Sequence, residues 1–194
     1  GRIPLGYFKQ NPVALPLKQF SALSVYLGNP QGTVPIMSNF LYAAQRERME
    51  ILAVCRCESS IFAGGAERAG EAAARKDVTL YAPNEEQGTL LLNEIMKRMN
   101  VRKKLLTDFC LANDLDEKNK DELARAAEYV RSHTTPILVF IENLADMVSN
   151  LDMMSEMLLD GVFKGMWQYN MRVIAFFEPK DEKRCQESVL YNGY

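Results

Sequence analysis

The residues whose types and spacing point to chemistry stand at the end of one apolar run, Ile137-Leu138-Val139-Phe140-Ile141, which is followed by Glu142, Asn143 and Asp146. Five consecutive apolar residues behind Pro136, three of them β-branched, read as a strand buried on both faces of a parallel sheet. Ligands in α/β proteins bind beyond the carboxyl ends of such strands, so two carboxylates and an amide stand where catalysis or ligand binding is expected. Glu178 closes a second apolar run, Met171 to Phe177, and would share that rim. A paired-acid site with Glu142 is therefore open, against the commoner reading of two solvated strand-end carboxylates.

A second chemical candidate is Gly28-Asn29-Pro30-Gln31-Gly32-Thr33-Val34-Pro35. It lies between an apolar run, Phe20 to Leu27, and a helical pattern of Ile36, Phe40, Leu41 and Ala44. Strand, glycine loop and helix N-terminus together can cradle phosphates with backbone N–H groups. The P-loop pattern, G-x-x-x-x-G-K-[ST], also requires a lysine for the phosphates and a hydroxyl for magnesium. Counted from Gly28, the last three positions hold Thr33, Val34 and Pro35; counted with Gly32 as the second glycine, the lysine and hydroxyl positions hold Thr33 and Val34. No lysine occurs between Lys18 and Lys76, and Pro30 and Pro35 remove two N–H donors. A tight strand-to-helix turn, with Pro35 at the first helical position, accounts for the stretch.

The elements that would position these groups follow in order. Ile3 to Val13 suits a short edge strand or hairpin at the periphery, Met49 to Cys55 a strand, Gly64 to Ala74 a loop with a short helix, and Val78 to Ala82 a third strand. A long helix starts at Glu85 and carries Leu91, Leu92, Ile95, Met96 and Met99, with the basic cluster Lys97 to Lys104 read as a solvated face. Leu123, Ala126, Ala127 and Val130 mark another helix. Beyond Ile141, the residues Leu144, Met147, Val148, Leu151, Met154 and Leu158 predict one continuous helix ending at Gly161. Met147 and Met154 fall on its core stripe; Met153 and Met157 fall off it and, with Trp167, form a candidate partner-binding surface. Strands alternating with helices predict an α/β fold with a mostly parallel central sheet and helices on both faces.

With 194 residues, 47% hydrophobic, the chain suits a single domain spanning 1–194. A balance of 23 basic and 25 acidic residues gives no global electrostatic reason to bind nucleic acid, and no partner of that class is expected. No apolar run is long enough for a membrane span, so this piece reads as soluble. Cys55, Cys57, Cys110 and Cys185 match neither a disulfide scaffold nor a zinc site. No metal site is expected.

Three segments in this order resemble the FtsK/SpoIIIE-type P-loop ATPases. Phe140-Ile141-Glu142-Asn143-Leu144-Ala145-Asp146-Met147 is similar to the family's second nucleotide motif, an apolar strand ending I-D-E-[FL]-A-D-[LM]. Glu94 to Leu106 resembles its long helix with paired basic residues, and Val173 to Pro179 the strand ending A-T-Q-R-P. The opening Ile3-Pro4-Leu5-Gly6-Tyr7 resembles the start of the ATPase modules strung along type VII secretion motors. The resemblance implies a RecA-like P-loop NTPase fold and a module excised from a longer chain anchored at the cytoplasmic face of the bacterial cell membrane.

It also implies a nucleotide site whose Walker motifs have decayed. Glu142 stands for the magnesium-ordering Asp, Asn143 for the Glu that polarises the attacking water, and Phe177 for the glutamine that senses the γ-phosphate. Asn143 cannot act as a base. Gly28, Gly32, Thr33, Glu142 and Asn143 then outline a non-functional site, with no catalytic residue and no cofactor expected; ATP with magnesium is the alternative. The partners implied are secreted protein substrates or their helical partners, neighbouring ATPase modules, and further copies in a homo-hexamer. A recruiting or regulating pseudo-ATPase is the leading expectation. A slow ATPase energising export, or a DNA translocase, are its rivals.

Overall fold

The computed structural model describes residues 2–16, 22–26, 30–56 and 77–186. Strand β6 (Ile137–Ile141) runs through the centre, and all five of its residues are fully buried. It pairs in parallel with β4 (Glu50–Val54) on one side and β7 (Met171–Phe177) on the other. Strands β3 (Ala22–Tyr26) and β5 (Val78–Tyr81) complete the order β3-β7-β6-β4-β5, parallel at every described pairing. The stretch Gly64 to Ala74, expected as a loop and helix, lies outside the described residues.

The sheet is covered on both faces because its strands alternate between two apolar clusters. Leu138, Phe140, Ile174 and Phe176 face helix α1 (Pro30–Arg46), where Met37, Phe40 and Ala44 meet them. Phe176 packs edge-on to Phe40, with ring centroids 5.6 Å apart, and tilted to Phe140 at 5.2 Å. Ile137, Val139 and Ile141 face the other way, toward Leu91 and Ile95 of helix α2 (Glu85–Ala112). Helix α3 (Lys120–His133) packs on the far half of α2 through Leu106, Cys110, Ala126 and Val130.

The opening residues form an antiparallel hairpin of β1 (Arg2–Phe8) and β2 (Asn11–Pro16). Lys9 and Gln10 make its two-residue turn at φ 47° and 67°, the left-handed backbone that a tight hairpin needs. The expectation of a peripheral hairpin needs one correction. Ile3 is fully buried in the α1 cluster, and Asn39 of α1 donates to the Pro4 carbonyl at 3.0 Å, which ties the hairpin to the domain.

Three further readings are corrected. Helix α1 begins at Pro30, so Pro35 lies inside it and is not its first residue. The single helix expected from Leu144 to Gly161 is two: α4 (Leu144–Asn150) and α5 (Met153–Gly165). Leu151 is extended at φ −99° and ψ 141°, and Asp152 caps α5 by accepting from the Ser155 N–H at 2.8 Å. That restart shifts the helical phase. Met154 and Leu158, placed on the core stripe by spacing, are 68% and 52% exposed, while Leu159, Val162 and Phe163 take the buried face. Gly161 sits within α5 and has open space where a Cβ would stand.

The basic cluster on α2 is also not uniformly solvated. Arg98 is held by Glu94 at 2.6 Å and Glu50 at 2.8 Å, and Arg102 is buried. Arg102 donates to the carbonyls of Tyr169 at 2.6 Å, Asn170 at 3.1 Å and Thr135 at 2.6 Å. These oxygens belong to the segments that lead into β6 and β7, so one guanidinium joins α2 to both central strands. Burial lowers its pKa to about 10, which leaves it cationic at neutral pH. Asn170 adds to the junction: at φ 54° it adopts the left-handed conformation, and its amide donates to the Thr134 carbonyl at 3.0 Å.

Replacing Arg102 by Met keeps the stem and leaves three carbonyls without a donor. Chemical denaturation should show a loss of about 2–4 kcal/mol; a loss under about 0.5 kcal/mol would mean that water replaces the guanidinium.

Candidate functional site

The carboxyl ends of β4, β6 and β7 form a common rim, and the residues expected there are present but engaged with one another. Glu142 follows β6 and accepts the backbone N–H of Arg56 at 3.1 Å. Asn143 is the N-cap of α4, its side-chain oxygen accepting from the Asp146 N–H at 3.2 Å. Asp146 receives both arms of the Arg56 guanidinium, Nε at 2.5 Å and Nη2 at 2.7 Å. The geometry is a bidentate fork between the segment after β4 and the first turn of α4.

Each contact has a local cause. An asparagine in extended conformation (φ −143°) before Leu144 supplies the acceptor that the first turn of a helix lacks. Asp146 in that turn sits favourably on the positive end of the helix. At the other end of α4, Asn150 donates to Pro83 O at 2.6 Å and Asp146 O at 2.7 Å, holding the helix against the segment after β5. Arg56 is the residue that sequence reasoning missed. Its position two residues past a buried strand was the available signal, but its partner lies 90 positions away.

Glu178, the other strand-end acid of the rim, is engaged with a lysine. It pairs with Lys180 at 2.7 Å, and that hydrogen bond raises the Lys180 ammonium above its ordinary range. Phe177, at the position where the resemblance implies a glutamine, is buried among the apolar residues facing α2 and α4. A ring in that packing offers no hydrogen bond toward the rim.

Part of the glycine stretch lies in a helix. Gly32 and Thr33 lie in the first turns of α1, and only residues 27–29 separate β3 from that helix. Gly28 lies outside the described residues. Among the described residues, no cluster of three His, Cys, Asp or Glu side chains could hold a metal ion.

The candidate partner surface is on α5. Met153 and Met157 are 78% and 55% exposed, and the phase shift at Asp152 brings Met154 and Leu158 out beside them. Trp167, in the 3-10 turn Met166–Tyr169, is half-buried. Four adjacent apolar side chains on two turns of one helix make a patch of the kind that marks an interaction site.

No family model and no curated protein matches this sequence. Solved structures do. The cytoplasmic domain of EssC superposes on the whole chain with a TM-score of 0.68 at 14% identity, over 34% of its own length. EssC of Geobacillus thermodenitrificans, comprising ATPases 2 and 3, matches the whole chain with a TM-score of 0.67 at 17% identity, over 32% of its length. The chain has the fold of a type VII secretion ATPase module. EccC of Thermomonospora curvata, also ATPases 2 and 3 and in complex with a signal sequence peptide, matches 99% of the chain at 15% identity and a TM-score of 0.67, over 31% of its length. The chain thus spans about a third of the length of these relatives. Its parallel sheet with helices on both faces is thus the RecA-like P-loop NTPase fold expected from the sequence.

If Asn143 serves as a cap, removing its oxygen has a defined cost. Asn143→Ala should lower stability by about 1 kcal/mol, and Asn143→Asp, which caps equally well, should restore it. Urea denaturation of the two variants checks this; equal losses in both would show that capping is not the role of Asn143.

Proposed function

We propose that this chain is a pseudo-ATPase module of a type VII secretion motor, one that recruits exported polypeptides or regulates their export without hydrolysing nucleotide. The observation that carries the reading is Asn143, which stands where the family's catalytic Glu would and is engaged as the cap of α4. An amide does not accept a proton. The absent lysine and buried Phe177 support the loss of phosphate-binding and phosphate-sensing groups around it. Loss of a single electrostatic stabiliser costs about 10²–10³ in rate. Several losses in one site favour a module retained for its surface.

That surface is α5. Exposed Met153, Met154, Met157 and Leu158 suit the apolar side of a helical segment on a secreted protein or its partner. The EccC structure with a signal sequence peptide supports recruitment as a task compatible with this fold. Chains carrying ATPases 2 and 3 support a place beside active modules, to which an effect of binding would pass. In the full-length protein the module would belong to a membrane-anchored motor, assembled as a homo-hexamer on the cytoplasmic face. Among the described residues no helix is long and apolar enough to cross a membrane, which is consistent with an anchor elsewhere in that longer chain.

Recruitment is tested by fluorescence anisotropy with labelled signal-sequence peptides of secreted substrates. The double variant Met153→Glu/Met157→Glu should weaken binding by about tenfold or more, the loss of two apolar anchors. Binding unchanged by the double variant would exclude α5 as the docking face. In the same preparations Asn143→Glu, which restores the missing acid, should release no phosphate from ATP; steady turnover would show that the rest of the site is intact.

A further inference from the structure

The opposite rim of the sheet holds a cavity of about 400 Å³ at the start of β4, β6 and β7. Its polar lining is Glu47, Glu128, Arg131, Ser132, Asn170 and Arg172. Arg172 is the second residue of β7 and is only 8% exposed, on the sheet face that also carries Ile174 and Phe176. Its Nε is enclosed and has no hydrogen-bond acceptor. An enclosed guanidinium N–H without an acceptor is costly, and that cost is removed by an anion that enters the cavity and reaches it.

The other groups around the cavity are already committed or help to select the occupant. Arg131 of α3 is paired with Glu128 at 2.5 Å. The Ser132 hydroxyl donates to Tyr129 O at 2.9 Å, and the Asn170 amide donates to Thr134 O at 3.0 Å. Burial first, and then the nearby charge of Arg131, lower the Arg172 guanidinium below its ordinary value, with Glu47 opposing. Two guanidinium groups are thus brought to one enclosure, and two carboxylates on the same rim limit the negative charge that can enter.

We propose that this cavity is a carboxylate-binding site in which Arg172 is the principal ligand and Arg131 the second. The planar fork of a guanidinium matches a carboxylate in two parallel hydrogen bonds. Glu47 and Glu128 disfavour a multiply charged phosphate, and the volume admits a carboxylate with a short stem. A polypeptide supplies that group at its chain end or on an Asp or Glu side chain. The site stands apart from the rim of Glu142 and Asn143 and does not depend on whether that rim binds ATP.

The test is a ¹H–¹⁵N NMR titration of the whole chain at constant ionic strength. N-acetylglycine represents a chain-end carboxylate, N-acetylglutamic acid α-methylamide a side-chain carboxylate, and neutral N-acetylglycinamide and inorganic phosphate serve as controls. At least one carboxylate should give saturable shifts of the Arg172 Nε–H, assigned by its loss in Arg172→Met, and of the amides of Arg131 and Ser132; which one saturates first identifies the source. Arg172→Met should abolish saturation. The more exposed Arg131→Gln, which leaves the core untouched, should weaken binding by roughly tenfold, the worth of one charge-assisted hydrogen bond. Shifts that are equal with the neutral amide, phosphate binding as tight as carboxylate binding, or saturation that survives both substitutions would each overturn the assignment.

Discussion

The structure depends on β6 being buried on both faces. Because Ile137 to Ile141 are all inaccessible, alternate side chains must enter two different apolar layers, and a slip of one residue would exchange the layers. The register with β4 and β7 is fixed by that requirement. Arg102 reinforces it from outside the sheet, since its three carbonyl partners lie on the segments that deliver the chain into β6 and β7. The position of Glu142 and Asn143 at the rim follows from this packing, whatever chemistry the rim performs.

In this chain the rim groups serve the scaffold. Asn143 satisfies the first turn of α4, Asp146 binds Arg56, and Arg56 in turn gives its backbone N–H to Glu142. The Asn143 amide turns back onto its own helix. The proposed pseudo-ATPase reading therefore rests on the function each polar atom already has. The exposed apolar side chains of α5, Met153, Met154, Met157 and Leu158, lie outside the core, which is why recruitment is assigned to them.

Much of the architecture was legible because it is written in local patterns. The uninterrupted run of β6, the largely apolar run of β7 and the apolar spacing of α2 each describe a single element and need no partner to be read. What was not legible depends on distance or on phase. Leu151 continues the three-and-four spacing into Met154 and Leu158, so nothing in the periodicity marks the restart that Asp152 imposes. Arg102 looks like any basic residue on a helix surface until the carbonyls that surround it are placed by other strands. Arg56 could not be linked to Asp146 without the sheet order that brings β4 beside β6. Two prolines competed to open α1, and Pro30 prevails, which leaves Gly32 and Thr33 in the helix.

The central claim is that the fold has outlived its nucleotide chemistry, and isothermal titration calorimetry of the purified chain with ATP in excess magnesium tests it most directly. The account predicts no saturable heat at micromolar nucleotide. Magnesium-dependent binding at micromolar affinity, weakened by substitution of Glu142, would contradict it.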